Sequence, residues 1–62
     1  MADPRTNKKY YMKVLNKDLE LFKVFLSLYD EAVKEGSQIP EDVAWIRFRE
    51  RYVNTDEGWK ER

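Results

Sequence analysis

Three arginines threaded between aromatic rings, in Trp45-Ile46-Arg47-Phe48-Arg49-Glu50-Arg51-Tyr52, are the residues best equipped for chemistry. A guanidinium is a planar, permanently charged fork that grips carboxylate or phosphate oxygens, and a flat ring beside it gives a stacking surface. Together they could bind nucleic acid through phosphates and bases, or anchor a protein partner. On a helix, Arg47, Arg49 and Arg51 point about 200° apart in succession, so they do not form one stripe. The plainer role is to complement the negative end of their own helix and to pair with acids of a neighbouring one. Trp45, Phe48, Arg49 and Tyr52, with Trp59 further on, form the candidate partner-binding set. Lys8, Lys9 and Lys13 with Arg47, Arg49 and Arg51 form the alternative, a set that contacts phosphates.

Covalent or acid–base catalysis has little to work with. The chain holds neither cysteine nor histidine, which removes the usual thiolate nucleophile and the side chain that titrates nearest neutrality. Ser27, Ser37, Thr6 and Thr55 lie in no nucleophile motif. Glu31 and Glu35 share a helix face at i,i+4, as a carboxylate metal site requires, but two acids so placed are ordinarily solvated surface charges. The two glycines, Gly36 and Gly58, are isolated and form no phosphate-cradling loop. No catalytic, metal-binding or cofactor-binding residue is assigned, and no cofactor is expected.

The elements that would position these residues start with Tyr10–Val33. Set on a repeat of seven, Met12, Leu19, Leu26 and Val33 fall in one column, and Val14, Leu21 and Leu28 in the next. Leu15, Phe22 and Tyr29 make a third. Tyr11, Phe25 and Ala32 make a fourth, broken only by Asp18. These columns are contiguous and span about 140° of a helix surface, opposite columns that are wholly polar. The pattern predicts one amphipathic helix over about residues 8–35, roughly 42 Å long at 1.5 Å per residue. Thr6 or Asn7 could cap it. Asn16 is an alternative start, with Asp18 and Glu20 in the first turn and Lys8–Val14 left to form a short strand. The earlier start is preferred because Tyr11, Met12, Val14 and Leu15 already lie on the later columns. Asp30 and Lys34 are spaced to pair, and Gly36 closes the helix as a left-handed cap.

Ser37-Gln38-Ile39-Pro40 then turns the chain back. Pro40, Glu41 and Asp42 suit a helix start, and a second helix is predicted over about 40–53. Trp45, Phe48 and Tyr52 line one side of it, with Ile39, Val43, Ile46 and Val53 on a neighbouring region and Arg49 between. Ile46, Phe48 and Tyr52 also alternate with the arginines, as a strand would, but no convincing partner strand follows. Thr55 could cap a short C-terminal turn before Gly58, and Trp59 suggests that the tail docks. Residues 1–6 and 60–62 are expected to be frayed. Were Lys8–Val14 a strand, the order strand–helix–glycine turn–helix would be similar to that of the ribbon-helix-helix repressors, with Val43–Val53 as their second helix. Tyr10-Tyr11-Met12 does not alternate and the first helix is longer than such a dimer needs, so no family is assigned.

Sixty-two residues make one domain at most, and a chain of this size buries only about 60% of its unfolded surface. Without disulfides or metal, packing and self-association are what remain to stabilise it. The reading is therefore an all-α, antiparallel helical hairpin that forms a homodimeric four-helix arrangement. Charged residues make up 39% of the chain, against about 25% in typical domains, yet twelve basic and twelve acidic groups cancel. A neutral total argues against a polyanion as the chief partner. The first residues lack the apolar core of a secretion signal, and Leu19–Leu28 is too short and too charged to span a membrane, so cytoplasmic residence is expected. The expected function is a non-enzymatic interaction or regulatory module that binds another protein. The alternative is a small dimeric DNA-binding regulator.

Overall fold

Asn16 and Lys17 interrupt what the heptad pattern predicts as one helix. The computed structural model describes residues 3–62 and shows α1 over Lys8–Val14 and α2 over Leu19–Lys34, with both intervening residues left-handed, at φ 58° and 60°. On the α1 side the break is closed by the backbone itself. The Lys17 N–H donates to Met12 O at 2.6 Å and the Asn16 N–H to Lys13 O at 3.3 Å, the paired bonds of a Schellman cap with asparagine in its left-handed position. Asp18 then caps α2, its carboxylate accepting from the Glu20 and Leu21 N–H groups at 3.0 and 3.3 Å. The same Schellman pair recurs at the far end of α2, from Gly36 to Val33 and from Ser37 to Ala32. Asn16 thus does at one end what Gly36 does at the other.

Pro40 opens α3, Pro40–Arg51, as the sequence predicts, but α3 stops two residues short of Val53. There the backbone becomes extended, and the expected C-terminal turn is an antiparallel hairpin of β1, Tyr52–Thr55, and β2, Gly58–Glu61. The register pairs Asn54 with Trp59 and Thr55 with Gly58. Thr55 does cap the turn: its hydroxyl donates to Gly58 O at 2.6 Å and accepts from the Glu57 N–H at 3.2 Å. Arg62 continues the ladder by donating its N–H to Arg51 O at 2.9 Å. The fold is mostly helical, with a small sheet that the all-α reading missed.

Described residues near both ends, where fraying is expected, take part in the secondary structure. Asp3 caps a 3-10 turn over Pro4–Asn7 by accepting from the Arg5 N–H, Pro4 is fully buried, and Lys60 and Glu61 belong to β2. Met1 and Ala2, which share the expectation of fraying, lie outside the described residues.

α2 packs most extensively against α3. The core centres on Tyr11, Leu15, Phe22, Phe25, Tyr29 and Ala32 from the heptad face, with Leu21 and Leu28 beside them, and Ala44 and Phe48 from α3. A face about 140° wide exceeds what one neighbouring helix covers, so its outer column stays wet. Leu19 is 47% and Val33 50% exposed, while Met12 and Leu26 are half-buried. On α3 the expected region of Ile39, Val43, Ile46 and Val53 is the outer side, with Ile46 58% exposed.

Candidate functional site

The aromatic residues read from the sequence converge where α1, α3 and the hairpin meet. Phe48 lies at the bottom, wholly buried, with the Tyr52 ring stacked on it at 4.8 Å and Trp59 edge-on at 5.0 Å. Trp45 faces Trp59 across 6.4 Å with the planes 27° apart, and stacks on its other side near Tyr11 at 6.1 Å. Two short elements fix these rings. β1 follows α3 without a loop, so Tyr52 stays one turn above Phe48. The turn at Gly58 returns Trp59 across the same residue. The Trp59 indole N–H donates to Val14 O at 3.1 Å, tying the hairpin to the C-terminal end of α1. This satisfies a carbonyl that the end of a helix leaves free.

Above the rings is an open cleft of about 420 Å³. Tyr10, Trp45, Tyr52 and Trp59 supply its walls, Val14 and Val53 its apolar flanks, and Asn54 an amide. Arg49 and Arg62 supply the charge. The Arg49 guanidinium carbon sits 5.8 Å from the Trp45 ring centre, a cation–π placement. Arg62 is fixed at its base by an Nε–H bond to Arg49 O at 2.7 Å. Of the five residues nominated as a partner-binding set, the structure brings Trp45, Arg49, Tyr52 and Trp59 to this cleft. Phe48 supports them from beneath and reaches no surface. Besides the flanking Val14 and Val53, the members not nominated from the sequence are Tyr10, Asn54 and Arg62. The hairpin brings in the last two, and its signal was the run Asn54-Thr55-Asp56-Glu57-Gly58, which has the composition of a turn between Tyr52 and Trp59.

The arginine set does not assemble in one place. Arg47 makes a two-pronged bond to Glu35, at 2.8 and 3.0 Å, and lies beside Glu31 and Glu50 in a groove that Arg51 also lines. That bond holds the Glu35 carboxyl below its ordinary range and raises Arg47 further. Arg5 likewise grips Asp30 at 2.7 and 3.2 Å and lowers it, so Asp30 pairs with Arg5 and not with Lys34 as its spacing suggested. Lys9, Met12 and Lys13 of α1, with Lys17 beyond its end, line a separate hollow. Tyr11 is held neutral: burial, then the neighbouring Glu41 carboxylate, pushes its phenol above the ordinary range.

Among the described residues no group of three or more carboxylates is placed to hold a metal ion. No described helix is long and apolar enough to cross a membrane. No protein-family model, curated protein or solved structure matches the chain.

Proposed function

We propose that the chain is a non-enzymatic interaction module that binds another protein at the cleft between α1, α3 and the hairpin. One observation supports this above the others: Trp45, Arg49, Tyr52 and Trp59, four of the five residues nominated from the sequence, share one open cleft with Tyr10 and Arg62. Tryptophan, tyrosine and arginine are the residues that most often dominate binding energy, and they do so from well-packed positions. Here Phe48 holds the rings from beneath and Val14 O holds Trp59, so little side-chain freedom remains to be lost on binding. The expected setting is the cytoplasm.

Site-specific photo-crosslinking in cells tests the reading. A crosslinking amino acid at Asn54, on the cleft wall, is expected to capture the same protein repeatedly. The same group at Lys23, on the polar side of α2, is expected to capture it no more often than background. Equal capture from both positions, or none from Asn54, overturns the reading.

In this reading the chain also self-associates. The expectation of a dimer comes from the small core and the wide apolar face, and α3 packs over much of the α2 part of that face. Leu19, Val33, Ile39 and Ile46 remain for a second copy, which would bring two α2–α3 pairs together as four helices. The DNA-binding alternative has less behind it, because Arg47 is engaged by Glu35 and Lys9 and Lys13 line a different hollow from Arg49.

A further inference from the structure

We propose that the cleft takes an acidic peptide segment with one aromatic or bulky apolar anchor. The proposal rests on the protein-binding reading and names the partner's chemistry. It starts from an imbalance. The whole chain carries twelve acidic and twelve basic side chains, yet no lining residue of this cleft has an acidic side chain and two are arginines. Elsewhere the arginines Arg5 and Arg47 each hold a carboxylate within 2.8 Å. Among the described residues, neither Arg49 nor Arg62 has a carboxylate within ion-pair distance.

Both guanidiniums are held by contacts that leave donors over. Arg49 leans on the Trp45 ring, a contact that uses none of its N–H groups. Arg62 uses Nε on Arg49 O, and its two terminal nitrogens remain. A carboxylate accepts two parallel N–H bonds from such a fork, and these charge-assisted bonds are the stronger kind. The rings set the second requirement. The Trp59 indole N–H is already spent on Val14 O, so that ring offers the cleft an apolar face and no donor. Trp45 and Trp59 lie 6.4 Å apart and nearly parallel, beside Tyr52 and Tyr10, and such walls suit an aromatic or bulky apolar side chain. A nucleic acid strand asks for a longer row of cations following its phosphates, and Lys9 and Lys13 of α1 line another hollow.

The test is titration of the isotope-labelled chain with blocked heptapeptides, followed by NMR. The probe has a central tryptophan flanked by glutamates and aspartates. One control replaces the acids with lysine, another replaces the tryptophan with serine, and a heptathymidylate serves as the phosphate probe. The acidic tryptophan peptide is expected to shift the Trp45 and Trp59 indole N–H and the Arg49 and Arg62 side-chain signals. Its affinity is expected to fall about tenfold in Arg49→Gln and in Arg62→Gln, as loss of one charged hydrogen bond implies. Both variants are at exposed positions, and an unchanged spectrum outside the cleft verifies their fold. Equal binding of the lysine or the serine control overturns the stated chemistry and leaves the crosslinking result standing. No shift at millimolar peptide, or tighter binding of heptathymidylate at the same residues, overturns the proposal. Absence of capture at Asn54 is the separate outcome that removes the protein-binding reading itself.

Discussion

At the scale of single residues, the five nominated contacts divide into one that is structural and four that are presented. Phe48 is wholly buried beneath Trp45, Tyr52 and Trp59, so Phe48→Ala leaves a cavity that the surrounding rings cannot fill. A loss of about 3–5 kcal/mol is expected for such a truncation, a large share of what a domain this size holds. Urea denaturation of Phe48→Ala beside Arg49→Gln measures the contrast, and the arginine variant is expected to keep its midpoint. Asp30 and Glu35 carry the pH dependence that the structure defines. Their partners Arg5 and Arg47 lower both carboxyls, so folding gains from these pairs above the ordinary carboxylate range. That gain is lost as pH falls through the lowered values, because the unfolded chain takes up protons first. Carboxyl NMR titration is expected to place both midpoints below the ordinary range. Arg5→Gln should return Asp30 alone, and Arg47→Gln should return Glu35 alone.

At the scale of elements, the sequence specified the helices more clearly than their interruptions. Heptad columns carry on from Tyr11 and Leu15 into Phe22 and Phe25, and all four side chains are buried in one core on both sides of the break. Apolar spacing therefore could not reveal that the backbone turns between them. The signals that could were polar: Asn16 as a left-handed cap and Asp18 as the start of α2. The sequence offers Asn16 as an alternative N-cap with Asp18 in the first turn, whereas Asp18 is the N-cap and Asn16 ends the preceding helix. The hairpin was hidden for a different reason. Two four-residue strands give too few alternations to register as a period, and the packing of Tyr52 and Trp59 on Phe48 of α3 is not a contact that strand alternation signals. The cleft was half legible for the same cause, since residue types named Trp45 and Arg49 but only the hairpin brings Asn54 and Arg62 beside them. Gly58 makes this dependence measurable. It sits at φ +114°, and a Cβ there would lie 2.9 Å from the Asn16 side-chain nitrogen, whereas a Cβ on Gly36 meets nothing within 4 Å. Gly36→Ala is expected to cost about 1 kcal/mol from backbone conformation alone. Gly58→Ala should cost more, and the double change Asn16→Gly with Gly58→Ala should recover part of the excess, because glycine removes the clashing side chain and keeps the left-handed backbone, as thermal melts would show.

At the scale of the whole molecule, the question is how far the chain covers itself. Its accessible surface of 4583 Å² is close to the roughly 4,300 Å² that a folded monomer of 7.6 kDa exposes on average. A chain that left the full α2 face bare for a partner would exceed that figure by a wide margin. The surface left for self-association is the outer column of α2 and the outer side of α3, where Leu19, Val33, Ile39 and Ile46 are each about half exposed. Half-exposed side chains lose only part of their area on pairing, so the gain per residue is below the roughly 1.5–3 kcal/mol of full burial. Against the entropy of joining two molecules, four such residues on each copy support a weak dimer and not an obligate one. Light scattering across a dilution series is therefore expected to show a mass that falls from the dimer towards the monomer as concentration drops. Val33→Ser with Ile46→Ser should hold the chain at the monomer mass throughout while leaving its thermal midpoint within a few degrees. A mass fixed at the dimer down to nanomolar concentration would mean that the two copies share a core, and the cleft at Trp45 and Trp59 would then have to be sought between chains.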